Sequence, residues 1–565
     1  MKKLMSLLVM VIFMTGMVVA QNNNATANQN GDKNSAGQTQ AGSSNTATVD
    51  QNTPGAGVID GQTATQLQEG ENNTASIEQN TWGANAEGNT AVQEQYGKNN
   101  AAASKTNGSK NSVTQIQGAN TLSADNKSSL YVGGSMNVVE VHQDGMRNEA
   151  NGQLLGDDDN YVNVDQDGND NMTLFRVEYG DGNVVNIDQV GDQNTVGGWG
   201  DPGVHIWGSG NDVDINQFGN QEKTEVGLAN DARVFIEGDG NKSVIQQEGQ
   251  YNQATHTMQG SPVNGNVAET RQDGYNNIGE ITQESDNNIA YQMQDAYAPA
   301  DNILVPAIPY GNDPNNEADE NESYITQKVG TGNVAKTFQF GDKNIAHVLQ
   351  EGAGNILEAD QGIWDQRPAI GQANHGLGNM LEVKVKGDQN QIFTVQDGLY
   401  NTMKFDLYSK SDGSNNRNII DKAYQLGGEN SMKVTVKGDD NTTFDFDQLG
   451  HGNVIQGLNG KESLFYEGDM ATDFTIYQEG IANTVDGEIW HGKGIDLNIN
   501  QSGYNNYSEL DIKDWNNVID IDQVSPAGTL VGDRNEAFIY QRGGSNGAFV
   551  NQNGTGNTAN IHQTH

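Results

Sequence analysis

The residues able to do chemistry in this 565-residue chain are 74 acids, 30 Lys and Arg, nine His and no Cys. Without Cys there is no thiolate ligand and no disulfide framework. The His are scattered, and none begins an H-E-x-x-H zinc motif. The closest approach to a calcium loop is Asp165-Gln166-Asp167-Gly168-Asn169-Asp170-Asn171. Its Gly is misplaced and the distal Glu of an EF-hand is missing. The calcium-binding nonapeptide repeat is absent as well. Gly198-Trp199-Gly200-Asp201-Pro202-Gly203 spells GxGxxG. Pro202 and the lack of a following helical pattern argue against a dinucleotide there. Gly487 to Gly494 nearly spells a P-loop, with Gly494 where a Ser or Thr must hold Mg²⁺. These readings predict no catalytic residue, no cofactor and no metal site.

The elements carrying these residues are not those of an ordinary enzyme. Only 34% of residues are hydrophobic, against roughly 45–50% in globular domains. The net charge of −44 repels phosphate and sets nucleic acid aside. Low hydrophobicity with high charge favours disorder, unless the polar residues are themselves periodic. Leu4 to Val19 is almost wholly apolar behind Lys2 and Lys3 and ends at Val18-Val19-Ala20. That is the pattern of a secretory signal peptide over residues 1–20. No other stretch is long and apolar enough to span a bilayer.

The periodicity is present. Gln189-Val190-Gly191-Asp192-Gln193-Asn194 matches Gln339-Phe340-Gly341-Asp342-Lys343-Asn344 in the frame Q-x-G-x-x-N. The frame recurs from Gln29, Gln68, Gln95, Gln143, Gln166, Gln247, Gln272, Gln350, Gln396, Gln425, Gln448, Gln478, Gln501, Gln541 and Gln552. A second frame, N-x-A-x-x-x-Q, joins the units, as in Asn344 to Gln350 and Asn557 to Gln563; Asn517 to Gln523 keeps it with Ile in place of the Ala. Units follow about every eleven residues, and two make a coil of about 22. Within a unit the period is two. Val213, Ile215 and Gln217 face one way, and Asp212, Asp214 and Asn216 the other. The same split separates Ile519, Ile521 and Gln523 from Asp520 and Asp522, and places His347 and His562 outward. Such alternation predicts half-buried strands, and the Gly and Asn that follow predict tight turns. A coil cannot bury its apolar face alone, but stacked coils can.

These two frames, behind a secretory signal, resemble the curlin repeat. The resemblance implies an all-β solenoid of stacked strand-turn-strand coils, secretion across the outer membrane, and assembly into curli-like extracellular amyloid fibres. It implies a role in adhesion and biofilm matrix. Its partners would be further copies, related curlin subunits and the outer-membrane secretion machinery, with surfaces or glycans as targets and no nucleic acid. The inward ladder it implies comprises Gln143, Gln166, Gln189, Gln217, Gln247, Gln272, Gln339, Asn344, Gln350, Gln396, Gln448, Gln478, Gln501, Gln523, Gln541, Gln552 and Gln563.

The expected organisation is a signal over 1–20, Ala/Thr/Ser-rich coils over 21–130 that bury less and are candidates for mobility, and a main solenoid over 131–565. Inserted loops are expected near 295–323, 361–377 and 457–470, with a shorter interruption at Gly197–His205. Trp82, Trp199, Trp207, Trp364, Trp490 and Trp515 fall mainly in turns and insertions. Two other functions fit a solenoid. A non-polymerising adhesin needs no further feature. A polysaccharide-acting enzyme needs acids and cations converging from several coils, and the 30 Lys and Arg form no cluster. An ice-binding face would need rows of Thr-x-Thr, and Thr46-Ala47-Thr48 is almost alone.

Overall fold

The computed structural model describes residues 22–564 apart from 32, 54–60, 82–86, 119–122, 157, 199–200, 220–229, 261–262, 295–319, 363–376, 406–418, 440–443, 456–463, 470–472, 488–495, 513–517 and 543–546. The expected signal peptide lies outside the described residues, as do Trp82, Trp199, Trp364, Trp490 and Trp515 and nearly all of the P-loop-like string. The chain divides into two units, Met1–Gln250 and Tyr251–His565.

Each unit is a β-solenoid, with two parallel sheets built from alternate strands. In the first unit Val138–Met146, Tyr161–Asn169, Val184–Val190 and Asp212–Gly219 succeed one another in one sheet. Lys127–Val132, Glu149–Leu155 and Met172–Glu178 do so in the other. Register is identity-preserving: Gln143 lies beside Gln166, Gln166 beside Gln189, and Gln189 beside Gln217. The second unit repeats the scheme, for example through Asp473–Ile481, Asp496–Tyr504 and Val518–Val524. Among the described residues the one helical element is the 3-10 turn Val531–Asp533.

The alternating pattern creates the core. Val162, Val164 and Gln166 are buried, whereas Tyr161, Asn163 and Asp165 are half-buried or exposed. Inward apolar residues are mostly Ala, Val and Ile. The large Phe175 has a gap beside it. The Phe175 ring occupies the space inside Gly152, where a Cβ would sit 1.8 Å from Phe175 Cζ.

The Ala/Thr/Ser-rich region behaves unevenly. Asn24–Asn30 is exposed throughout, and Ser35–Ser43 is at most half-buried. From Thr46–Asn52 onward the inward positions close, with Ala47, Val49, Ala64, Ile77 and Ala91 buried. Position in the stack therefore decides burial here more than composition does, because among the described residues Asn24–Asn30 pairs only with Thr46–Asn52 and Ser35–Ser43 only with Thr63–Glu71.

Interruptions leave the register of the amides intact, although the strand Ile419–Gly428 carries a bulge against both neighbours. Thr195 and Val196 pair with Met172 and Thr173, and Val204 resumes opposite Phe175. Gly203 fills the place between, its N–H donating to Leu174 O at 2.9 Å. Between Val196 and Val204, Gly197 pairs antiparallel with Pro202 and Gly198 with Asp201. Gly198, Asp201 and Pro202 of the GxGxxG string thus lie in short strands, and the strand Val204–Trp207, not a helix, follows. Around the expected insertion 295–323, Gln294 still meets Gln339, and the strand Glu322–Lys328 is already back in its sheet. Gln361 closes the strand Ile356–Gln361, and Leu464–Asp469 pairs with Ser431–Asp439, so parts of 361–377 and 457–470 belong to coils.

The turn glycines allow coils to approach closely. Gly168 has φ +125°, and a Cβ there would lie 2.0 Å from Gly191 O in the next coil. Gly182 has φ +67° with open space around it. Gly182→Ala should therefore cost about 1–2 kcal/mol, the left-handed penalty alone. Gly168→Ala should cost clearly more, since backbone must also move. Thermal melts of the two variants make the comparison, and equal losses would contradict it.

Candidate functional site

The recurring amides form continuous hydrogen-bonded ladders inside the solenoid. In the first unit Gln143 Nε2 donates to Gln166 Oε1 at 2.8 Å, Gln166 to Gln189 at 2.8 Å, Gln189 to Gln217 at 2.8 Å and Gln217 to Gln247 at 2.8 Å. The second proton of each amide crosses the core. Gln143 Nε2 also donates to Lys127 O at 2.9 Å in the opposite sheet, and Gln247 Nε2 to Asp231 O at 3.1 Å. A buried Gln thus ties its coil to the next and one sheet to the other.

In the second unit Gln272 donates to Gln294 at 2.8 Å, Gln294 to Gln339 at 2.9 Å, Gln339 to Gln361 at 2.9 Å and Gln361 to Gln396 at 2.9 Å. Gln396 continues through Gln425 to Gln448, and on through Gln478, Gln501 and Gln523 to Gln552. The other sheet carries shorter runs. Gln283, Gln327 and Gln350 form one, and Gln541 donates to Gln563 at 3.0 Å in another. Gln350 lies opposite Val385, where its run stops. Gln283 lies opposite the buried Met258, which has no amide to donate, and Gln283 Oε1 has no hydrogen-bond partner.

Asparagines at the strand starts form a different ladder. Asn344 Oδ1 accepts the backbone N–H of Asn379 at 3.2 Å, and Asn344 N donates to Asn321 Oδ1 at 2.9 Å. Asn344 Nδ2 donates to Phe340 O at 3.0 Å across its own turn. The expected amide-to-amide column is therefore supplemented here by side chain-to-backbone bonds.

Several ladder residues escape the Q-x-G-x-x-N frame. Gln294 and Gln361 precede insertions, and Gln283 and Gln327 precede altered turns. Each nevertheless stands six residues after a buried Asn: Asn288, Asn355, Asn277 and Asn321. The strand-spanning spacing was the better signal. A further inner column, Gln38, Gln66, Gln93 and Gln115, runs beside the first in the N-terminal coils.

The acids have structural partners too. Turn aspartates accept backbone N–H groups from the preceding coil: Asp158 from Ser135 at 2.6 Å, Asp192 from Asn169 at 2.8 Å and Asp388 from Ala353 at 2.7 Å. The calcium-like string is not a loop. Asp165 and Asp167 lie in the strand Tyr161–Asn169, Asn171 Oδ1 accepts from Asn194 N, and Asp170 pairs with Arg147. Burial raises the Asp165 carboxyl despite nearby His142, and burial together with Asp165, Asp167 and Asp214 raises Asp188. Among the described residues no three or more His, Cys, Asp or Glu are gathered as for a metal. A G-x-S-x-G string, Gly543 to Gly547, leads into the strand Ala548–Asn553 rather than the helix a nucleophile elbow requires.

The half-buried Asp360 and the buried His256 give opposite pH effects. Burial, then Glu358, pushes Asp360 up to about 7, with Lys336 opposing. Burial pushes His256 down to about 3, and its Nε2 lies 2.8 Å from Thr270 Oγ1. A carboxyl raised from 3.8 binds its proton more tightly when folded, so its contribution to stability falls as pH rises from about 4 to about 7. An imidazole lowered from 6.5 binds its proton more tightly when unfolded, so its contribution is lost as pH falls below about 6.5. Asp360→Asn should therefore raise the melting temperature at pH 7.5 and remove the carboxyl's share of the pH 4–7 dependence, read by melts across that range. The ladder has its own test. Gln448→Leu leaves a donor of Gln425 and an acceptor of Gln478 without partners, at about 1–3 kcal/mol each. Hydrogen exchange should accelerate in the coils on either side and little elsewhere, because coupling is between neighbours.

A comparison with protein families matches residues 532–564 to the curlin associated repeat. No significant match to a curated protein is found. The matched residues include the strand Glu536–Arg542 and the Gln541–Gln563 bond, so the match falls on the ladder geometry itself. Residues 532–564 are thus similar to the curlin associated repeat.

Proposed function

We propose that this chain is a secreted structural protein, without catalytic activity, that builds curli-like amyloid fibres of an extracellular matrix and acts there in adhesion. Copies add end to end by continuing the parallel stacking already present within each unit. The observation that carries the reading is the directionality of the ladders. Every glutamine-to-glutamine bond quoted above points its Nε2 toward the later coil. The first strand, Asn24–Asn30, is exposed throughout and presents Gln29, whose Nε2 already donates to Gln51 Oε1 at 2.7 Å. The last strand, Thr558–Thr564, ends the other way, with Gln563 accepting from Gln541. Contacts between unlike ends are head-to-tail, and where the rotation between copies does not close a ring they build an open filament. Related curlin subunits and the secretion machinery are partners on the same reading.

The ladders also support register fidelity in templating. A copy arriving one residue out of step sends every amide and aliphatic side chain to the wrong face. The mature protein should bind an amyloid dye and give fibres with a meridional spacing of about 4.7–4.8 Å. Gln339→Leu with Gln350→Leu should slow seeded growth more than Asp520→Asn with Asp522→Asn. Particles that stay monodisperse under seeding would replace the fibre subunit with a non-polymerising adhesin. Cleavage of an acidic polysaccharide by the pure protein would remove the structural reading altogether.

A further inference from the structure

The outer face of one sheet in the first unit carries a groove of about 630 Å³. It is not explained by stacking. Its floor is a column of small outward residues in register: Ser76, Ala103 and Ser129, continued by Asn151. Its wall is the next outward column, in which Lys105, Tyr131, Gln153 and Arg176 are successive neighbours. The trench therefore runs along the stack, perpendicular to the strands, with one step of about 4.8 Å per coil. Pro202, paired antiparallel with Gly197, lines it too.

From this geometry we propose that the groove binds a neutral, linear, extended polysaccharide lying along the stack. Three observations favour that occupant. The coil step is close to the rise of one sugar unit in an extended β-linked glycan, so equivalent contacts can recur from unit to unit. The wall supplies an aromatic ring at Tyr131 and polar groups at Gln153 and Arg176, while the floor supplies the Ser76 and Ser129 hydroxyls. This mix of apolar faces and a few polar groups is typical of ligand clefts, and the volume lies within their range of about 300–1,000 Å³. Arg176 Nε is enclosed without a hydrogen-bond partner.

Charge decides between glycan classes. Lys105 is paired with Glu78 at 2.8 Å, and Arg176 is paired with Glu178. Neither cation is left over to hold a uronate, and a chain of −44 repels a polyanion. The pairing is secure at Glu178: burial raises its carboxyl, but the Trp207 N–H and Arg176 outweigh this and hold it below the ordinary range. A polypeptide is a poorer fit. The strands beneath the groove are paired on both sides, so they offer no free backbone edge for strand addition.

The same face continues into exposed aromatics one coil on. Trp207 stands edge-on to Tyr179 at 6.0 Å and to His205 at 5.7 Å, and His205 to Phe235 at 5.3 Å. Tyr179 is 76% exposed and held at φ 55°, a conformation uncommon for a bulky residue. These rings extend the platform for a chain longer than the groove.

The test is affinity electrophoresis and calorimetry of soluble, unseeded full-length protein. Hydroxyethylcellulose and cellohexaose are the neutral probes, alginate the acidic one and a polyproline peptide the third. The expected result is retardation by hydroxyethylcellulose and measurable cellohexaose binding. Ser129→Trp, which fills the trench from an exposed position, should abolish both. Tyr131→Ala should weaken binding about tenfold, equivalent to about 1.4 kcal/mol, with its melting curve unchanged. Phe549→Ala, on an exposed ring elsewhere, should have no effect. Absence of binding to the neutral probes, binding indifferent to Ser129→Trp and Tyr131→Ala, or preference for alginate or the peptide would each overturn the proposal. Fibre formation, scored separately by dye, does not enter the readout.

Discussion

A primary amide buried in a protein has two donors and a carbonyl to satisfy, and this requirement governs the whole structure. An isolated buried Gln would cost about 1–3 kcal/mol for each group left without a partner. Here the same residue recurs at the same height in the next coil, so each carbonyl meets the previous amide and each amide the next carbonyl. The remaining proton reaches a backbone carbonyl of the facing sheet, as from Gln143 to Lys127. The arrangement works only if the coils are in register. The net gain per bond is small, about 0.5–1.5 kcal/mol, but the penalty for slippage falls on every amide at once. Polar residues that would argue for disorder in another sequence thus enforce order in this one.

The same reasoning explains what the coils tolerate. The six-residue spacing from Asn to Gln recurs, as from Asn288 to Gln294, because both must reach their columns. Turns vary more in sequence, since their contacts to the adjacent coil run through backbone and exposed side chains. Gln283 bonds to Gln327 and Gln294 to Gln339 across a long intervening stretch. The antiparallel pairs Gly197–Pro202 and Gly198–Asp201 leave Val204 in its place opposite Phe175. Where an amide is replaced, the ladder stops locally and a carbonyl is stranded, as at Gln283 beside Met258. Solenoids confine such faults to neighbours, so the stack survives them.

The coil, the period of two and the facing of Val213, Ile215 and Gln217 were legible in the residues, because strand alternation needs only local information. The ladder was legible in part. A frame anchored on the turn found Gln143 or Gln448 but passed over Gln294, Gln327 and Gln361, whose turns are altered. The Asn-to-Gln spacing, fixed by strand geometry, would have found them. Asn344 was legible as inward, but its bond to the backbone of Asn379 was not, since that depends on where one coil sits above another. The role of the turn aspartates was not legible in the residues. Their acceptance of N–H groups from the preceding coil appears only when turns are stacked. The groove was invisible for the same reason: Ser76, Ala103 and Ser129 are distant in sequence and become a trench only in register.

Two kinds of surface follow from one repeat. The inward amides make the stack indefinite in principle, since each coil presents to the next what it received from the last. The outward columns are free of that constraint, and composition differs from coil to coil. Lys105 beside Glu78, Tyr131 beside Gln153, and Trp207 beside Glu178 are choices the core does not dictate. Fold and recognition are thereby separated onto alternate residues of the same strand. A change at an inward position alters what holds the stack together, and a change at an outward one alters the surface it presents. The outer surface can therefore diversify while the ladder beneath it stays the same.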